Sequence, residues 1–430
     1  MLFYSPVATC PPEIRKVADG FKDLTGSGYC SLVTFLCGAI MGVKSLSAMA
    51  RFFLFSPSVS TLSRFLQMEG LNKKLNRRHR RRLLRLLDKQ KNHPGRYIWV
   101  IDDTLIPGFG KKIWGSYRWF DHTSSSTVQG HKLLMLGLVD RYRKVLIPVF
   151  WEILHREDKD SPQNHKKGWE VAIDLLDQAV NFGFPILPVV ADSWFANEEI
   201  FAALNKRKFP FVMEIKSNRR VVQHGLKSLN VSVTEFFQSR LRKKIFYWSK
   251  VKWAAEATLW FRGARDRLKT VAVANKKGLV HECFAYYVSN RLAWNASKVW
   301  GLARDRWTIE VQFRELKQLF TLGGTAVRSK ESVETAISVA VIALTVIRLE
   351  QLNRVDANEN QYVRPKPAGS IVSEYQVSSM QRSILTLVTK PSIQEKLRLR
   401  LCKENFGRKP TEKIKMAKTS SETEKLRTSA

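Results

Sequence analysis

The chain has 430 residues, enough for two or three domains, and its 44% hydrophobic share says that most of it folds. Its formal net charge of +34 is far from ordinary surface balance and calls for a polyanionic partner, either nucleic acid or an anionic membrane. The five cysteines (Cys10, Cys30, Cys37, Cys283, Cys402) are odd in number, scattered and without a CxxC pair, which argues against a disulfide framework or a cysteine zinc site and fits a reducing, intracellular compartment.

Residues 1–93 read as a helical, basic domain. Apolar runs such as "SLVTFLCGAI" and "LSAMARFFLF" precede "LNKKLNRRHRRRLLRLLDKQK", residues 71–91, where eight cations from Lys73 to Arg85 crowd one segment. Such a helix can lie along a phosphate backbone, with Arg78 and Arg81 as DNA contacts; a solvated charge run is the alternative. "NHPGR", 92–96, reads as a turn and a boundary.

From residue 97 the texture changes. "YIWVID", "GHKLLMLGLVD" (130–140) and "VLIPVFWEI" (145–153) read as strands, then "NHKKGWEVAIDLLDQAVNFG" (164–183) as a helix. "PILPVVAD" (185–192), "NEEIFAALNKRK" (197–208) and "FPFVMEIK" (209–216) add strand, helix and strand. The series β-β-β-α-β-α-β predicts a mixed-sheet α/β core over 94–216 and 291–355. Residues 217–290 break the rhythm with basic, aromatic-rich strands and read as an all-β insertion. There Lys243, Lys244, Lys250 and Lys252 alternate with Trp248 and Trp253, a pattern that either grips an unpaired base or packs one face of a hairpin. Helices follow at 295–320, capped by Asn295 or Ser297, and at 332–352. The region 356–430 is basic and polar and reads as flexible.

No membrane anchor is expected. "YCSLVTFLCGAIMG" (29–42) stops before Lys44, and "AISVAVIALTVI" (336–347) falls short of the about 20 residues a span needs. The N-terminus lacks a signal-peptide pattern. The charge therefore points to nucleic acid.

Three acids stand at positions suited to chemistry. Asp102 and Asp103 lie at the exit of "YIWVID", and Asp192 ends "PILPVVAD"; functional groups of α/β sheets collect past the carboxyl ends of strands. Glu310 lies in "DRWTIEVQFRELKQ" (305–318), with Arg306 four residues before it, Arg314 four after and Lys317 seven after. On a helix those offsets share a face, while Ile309, Phe313, Leu316 and Phe320 form an apolar stripe. Singly, a strand-end Asp caps a turn and a helical Glu makes ordinary ion pairs. Jointly, strand-Asp, strand-Asp and helix-Glu would form a three-carboxylate cluster, which suits hard divalent ions with oxygen ligands.

These residues resemble the DDE transposases of bacterial insertion sequences, in the branch carrying a Y-x2-R-x3-E-x6-K signature on an RNase H-like core. Arg306, Glu310 and Lys317 match that signature, and Ala303 stands where it has tyrosine. "VIDDT" resembles the first-aspartate motif and "VVADSWFANEEIFAAL" the second, so the resemblance covers roughly 95–355, with the β-rich stretch between Asp192 and Glu310. It implies Asp102, Asp192 and Glu310 as catalytic metal ligands, Asp103 being the alternative to Asp102, and Arg306 and Lys317 as DNA-phosphate contacts. It also implies Mg²⁺, for which Mn²⁺ would substitute, and double-stranded DNA (terminal inverted repeats and target) as partner. A homodimer in the DNA complex and a cytoplasmic, nucleoid-associated location follow from the same likeness. The expected reaction is cleavage at the element's ends and joining of the 3′-OH to target DNA. An RNase H-like nuclease without strand transfer and a non-enzymatic DNA-binding relative are the alternatives.

Overall fold

The computed structural model describes residues 12–395 apart from 22–23, 25, 54–55, 89–94, 109–111, 122–123, 157–165, 225–226, 241–245, 250–251, 275–282, 321, 325–326, 357–364 and 393. Lys243, Lys244 and Lys250 of the aromatic-basic pattern lie outside the described residues, as does the chain from 396. The chain divides into two compact units, 1–62 with 372–430, and 63–371.

In the first unit, α1 (Pro12–Asp19) packs on α2 (Gly26–Ile40), which packs on α3 (Leu46–Phe52). The contact between α2 and α3 is close. A Cβ on Gly38 would lie 2.9 Å from a Met49 side-chain atom, so glycine is what lets Met49 seat there. Ser45 caps α3, its hydroxyl accepting from the Ala48 N–H at 3.0 Å. α4 (Val59–Leu66) runs through the division between the units.

The second unit opens with α5 (Leu71–Asp88), the basic helix. Then come β1 (Tyr97–Pro107), β2 (Tyr117–Asp121), β3 (Ser126–Asp140), β4 (Val145–Leu154), α6 (Gly168–Phe182), β5 (Val189–Ala191), α7 (Glu198–Lys206) and β6 (Phe211–Ile215). β1 pairs antiparallel with β3 and β3 with β4, whereas β1–β5 and β5–β6 pair parallel. The result is a mixed sheet ordered β4-β3-β1-β5-β6 at its centre, with β2 added along the first residues of β3. β1, β5 and β6 are covered on both faces and are apolar almost throughout, as parallel strands must be. Gly183, at φ 103°, ends α6 in the left-handed conformation that glycine adopts without strain.

The segment expected to be all-β is not so: β7 (Arg220–His224) and β8 (Lys227–Ser232) are followed by α8 (Val233–Arg240). Phe236 and Phe237 bury the helix, and a helix can bury two adjacent rings where a half-exposed strand would expose one. β9 (Phe246–Ser249), β10 (Lys252–Phe261), β11 (Leu268–Ala274) and β12 (Cys283–Ser289) complete the segment. β12 pairs with β6, so these strands continue the central sheet instead of forming a separate body.

α9 (Ala296–Asp305) and α10 (Trp307–Gln318) divide at Arg306 what the sequence reads as one helix. α11 (Lys330–Asp356) is longer than expected; by length and composition it could cross a membrane, but 89% of its apolar window is buried inside the fold. It packs against α5 and β4. α12 (Ala368–Thr389) returns to the first unit and corrects the expectation of a flexible stretch from 356: Val372 and Tyr375 are buried, spaced to anchor one face, and Gln376 donates to the Ile40 carbonyl at 3.4 Å.

Candidate active site

Three elements deliver the acids. The β1–β5 register sets Ile101 beside Ala191, so Asp102 and Asp192 lie side by side; Asp192 follows the end of β5, whereas Asp102, expected at a strand's exit, stands mid-strand because β1 runs on to Pro107 against β3. Side chains alternate along β1, and the two candidate aspartates separate accordingly. Asp103 ion-pairs with Lys132 at 3.1 Å, whereas the Asp102 carboxylate accepts from Arg306 Nη1 at 3.0 Å. The Asp192 carboxylate accepts from the Trp194 N–H at 2.9 Å, which fixes the loop after β5.

Glu310 lies in the first turn of α10, and Arg306 Nη2 meets it at 2.7 Å. One guanidinium thus bridges Asp102 and Glu310. The junction that aims it is anchored by Asp305, 1% exposed, which ion-pairs with Arg141 at 2.6 Å and with Lys144 in the β3–β4 turn. The Thr308 hydroxyl donates to the Asp305 carbonyl at 2.7 Å. Lower on α10, the buried Gln312 amide reaches Met135 Sδ of β3 at 2.9 Å, and Glu315 ion-pairs with Arg348 of α11. Asp305 and Glu315 therefore hold the helix in place, and Glu310 is left for the site.

The electrostatics are unbalanced. Burial, then the Asp192 charge, pushes the Asp102 carboxyl up to about 7, against the opposing pull of Arg306. Burial likewise raises Glu214, with Asp192 and Glu310 adding to the rise and Arg306 opposing it. Glu214 is a fourth acid that the sequence reading passed over. Its signal was a lone carboxylate in "FPFVMEIK", on the strand next to the one ending at Asp192. Tyr287 is paired with Glu214 across β6–β12; burial raises its phenol, and the Glu214 and Arg306 charges both act on it. It was also missed, because its strand looked like any other in the segment. Ala303, at the signature's tyrosine position, is buried in α9.

The other expected residues are placed as follows. Lys317 is half-buried, and burial lowers its ammonium while Asp121 and Asp103 oppose that; it belongs to the Asp103 side of the site. Arg314 is exposed. Arg81 is exposed on α5 and Arg78 is partly buried there, on a helix that sits in the second unit with the acids. The inner face of α5 is spoken for: His79 Nε2 lies 2.8 Å from the Pro148 carbonyl, and Arg80 donates to Val149 O at 3.2 Å. Lys73, Arg77, Arg81 and Arg85, four residues apart, form its outward stripe.

Could these groups hold a divalent metal? The donors are hard carboxylate oxygens, and burial, then the Asp192 charge, raises the Asp102 carboxyl against the pull of Arg306. Among the described residues no group of three acids, histidines or cysteines is gathered closely enough to ligate an ion as arranged. The Arg306 guanidinium stands between two of the acids. The set fits a divalent ion in the kind of its donors, the carboxylate oxygens of Asp102, Asp192 and Glu310.

A family model described as DDE superfamily endonuclease matches residues 30–273, a span that includes Asp102, Asp192 and Glu214 and stops before Glu310. A cryo-EM structure of piggyBac transposase in a synaptic complex with hairpin DNA is a distant structural likeness, at 11% identity and a TM-score of 0.46 over 90% of this chain and 80% of that one. No curated protein matches the sequence. The family match spans more than half of the chain, and the protein belongs to the DDE superfamily of endonucleases.

Proposed function

We propose that the protein is a DNA transposase. It cuts the phosphodiester at each terminal inverted repeat of its element and joins the freed 3′-OH to target DNA. The observation that carries this reading is the convergence of Asp102, Asp192 and Glu310 from two parallel strands and a helix, with Arg306 between them. The strand order β4-β3-β1-β5-β6, antiparallel then parallel, supports reading the core as RNase H-like.

Asp102, Asp192 and Glu310 would hold Mg²⁺, with Mn²⁺ as a substitute. Bound there, the metal would supply an activated water or 3′-hydroxyl and charge relief for the leaving oxygen. The protein's own groups do the rest. Arg306 holds Asp102 and Glu310 in register until a phosphate arrives, then turns its fork to the phosphate oxygens, which suit a bidentate guanidinium. Lys317 and Lys132, on the Asp103 side, hold the backbone beyond. Tyr287 and Glu214 limit the directions the guanidinium can take. The outward stripe of α5 and the net charge of +34 gather DNA without reading its sequence. Cutting paired ends requires two such sites, hence a homodimer in the DNA complex.

The test is cleavage of end-labelled DNA carrying the element's own ends, in Mg²⁺, in Ca²⁺, and with Glu310→Gln. Nicking at the repeat boundary in Mg²⁺ alone, lost in Glu310→Gln while DNA binding persists, and a joined product with target DNA are expected. Nicking without joining would leave a nuclease, and binding without nicking a DNA-binding relative.

A further inference from the structure

Beside the loop that follows Asp192, the second unit has a cleft of ≈ 690 Å³. Ser193, the residue after Asp192, forms its inner edge, and Lys216, Arg219, Arg220 and Arg262 line it. Three separate chain segments supply these groups: the loop after β5, the β6–β7 turn and the end of β10. Two hydrogen bonds join them: the Arg262 N–H donates to Arg220 O at 3.2 Å, and the Arg219 side-chain Nη1 donates to the Ala196 carbonyl at 3.4 Å. Glu198 is the one acid in the lining; its carboxylate lies over Gly263, where a Cβ would fall 1.3 Å from it, so the glycine lets it lie flat against the wall. Glu235 stands 4.0 Å from Arg220 outside the cleft. Four cations against Glu198 leave the cleft strongly positive.

We propose that this cleft is a phosphate subsite for a single DNA strand that continues past Asp192. Its volume lies within the range of about 300–1,000 Å³ typical of ligand clefts. A cleft of that size can take one backbone but cannot enclose a duplex, whose strands stand about 12 Å apart across the major groove. Among the described residues no aromatic ring lines it, so it offers no stacking platform and grips phosphates whatever the bases. Ser193 joins it to the catalytic acids, so one strand can keep its cut phosphodiester at Asp192 and its next phosphates on the arginines. The inference rests on the reading that those acids act on DNA.

The experiment uses the full chain in EDTA, so that no cutting occurs. A labelled mixed-sequence single strand and a hairpin duplex are titrated by fluorescence anisotropy across a salt series. Arg219→Gln/Arg262→Gln is compared with Lys206→Gln/Arg304→Gln, which removes the same charge at two exposed positions elsewhere; Lys216→Gln serves as a single-site check, and a thermal melt of each confirms folding. The cleft variant should lower the slope of log affinity against log salt for the single strand by about 1.4, at about 0.7 for each phosphate that the protein no longer neutralises. The control and the duplex slopes should hold. Equal slopes in both double variants, or an equal loss for duplex, would each overturn the subsite. If the wild-type protein binds neither DNA, the reading of function falls with it. If it binds both and the slopes match, the subsite alone fails and the Glu310→Gln nicking test stands untouched.

Discussion

Replacing Asp102 by Asn should make the metal-free protein more stable at alkaline pH. Asp102 is pushed from the usual 3.8 up to about 7, chiefly by burial. Its side chain is 14% exposed, so solvent screening takes little away. The folded chain holds the proton more tightly than the unfolded chain. The carboxyl therefore costs nothing below about pH 4, where both states are protonated; the cost grows between about 4 and 7 and is complete above 7. At about 1.4 kcal/mol per pH unit, a difference of about three gives roughly 4 kcal/mol at pH 8 and about 1.5 kcal/mol at pH 5. Asn copies the neutral form and escapes that cost. Urea unfolding in EDTA, followed by fluorescence at the two pH values, measures both. Equal stability of the two proteins at pH 8 and pH 5 would mean that Arg306 satisfies the carboxylate fully, and the argument for an over-charged site would fail.

His79 moves the other way: burial holds its imidazole neutral, down to about 4 from 6.5, so stability is whole above 6.5 and falls by roughly 3 kcal/mol as pH drops to about 4. His79→Leu should flatten that limb in the same unfolding series. Asp140 accepts from Arg96 at 2.9 Å and lies 3.5 Å from Arg143, all three buried; Asp140→Ala should cost about 3–5 kcal/mol by chemical denaturation, because it strands two cations. A Cβ on Gly130 would fall 2.2 Å from the Ile106 carbonyl oxygen across β1–β3, so Gly130→Ala should lower stability by about 1–3 kcal/mol and perturb the strand carrying Asp102. A melting temperature unchanged by that substitution would show that the two strands can part there freely.

The central strands and both helices that flank Asp192 were readable, because a buried parallel strand and an amphipathic helix write distinct periods into the chain. Asn197 and Asn295 cap α7 and α9 as their positions predict, accepting from the Ile200 and Lys298 N–H groups at 2.8 Å and 2.9 Å. Tertiary pairing was not readable. Nothing local says that β12 returns to β6, so Tyr287 could not be matched with Glu214. Nor does periodicity reveal that Asp305 is tied down by Arg141 and Lys144, which lie 164 and 161 residues away. The break at Arg306 escaped for a related reason. Its residues are good helix formers, and Arg306 keeps helical backbone angles (φ −56°, ψ −37°); only the hydrogen-bond ladder changes, the Arg306 N–H donating to the Ala303 carbonyl three residues back at 3.1 Å.

The place of Arg306 bears on how the site uses charge. On an exposed helix face Arg306 and Glu310 would be one more surface pair, worth a few tenths of a kcal/mol. Here the guanidinium meets Asp102 as well, and its charge also acts on Asp192 and Glu214. Asp102, Asp192, Glu214 and Glu310 share that one guanidinium, and under the proposed function a divalent ion would add the further positive charge. The protein's overall charge of +34 does different work. Part of it lies on the outward stripe Lys73–Arg77–Arg81–Arg85 of α5, which under the proposed function would draw DNA in from solution. Under the proposed function, capture on α5 and chemistry at the acids rest on different residues, so a substitution in one set should leave the other working.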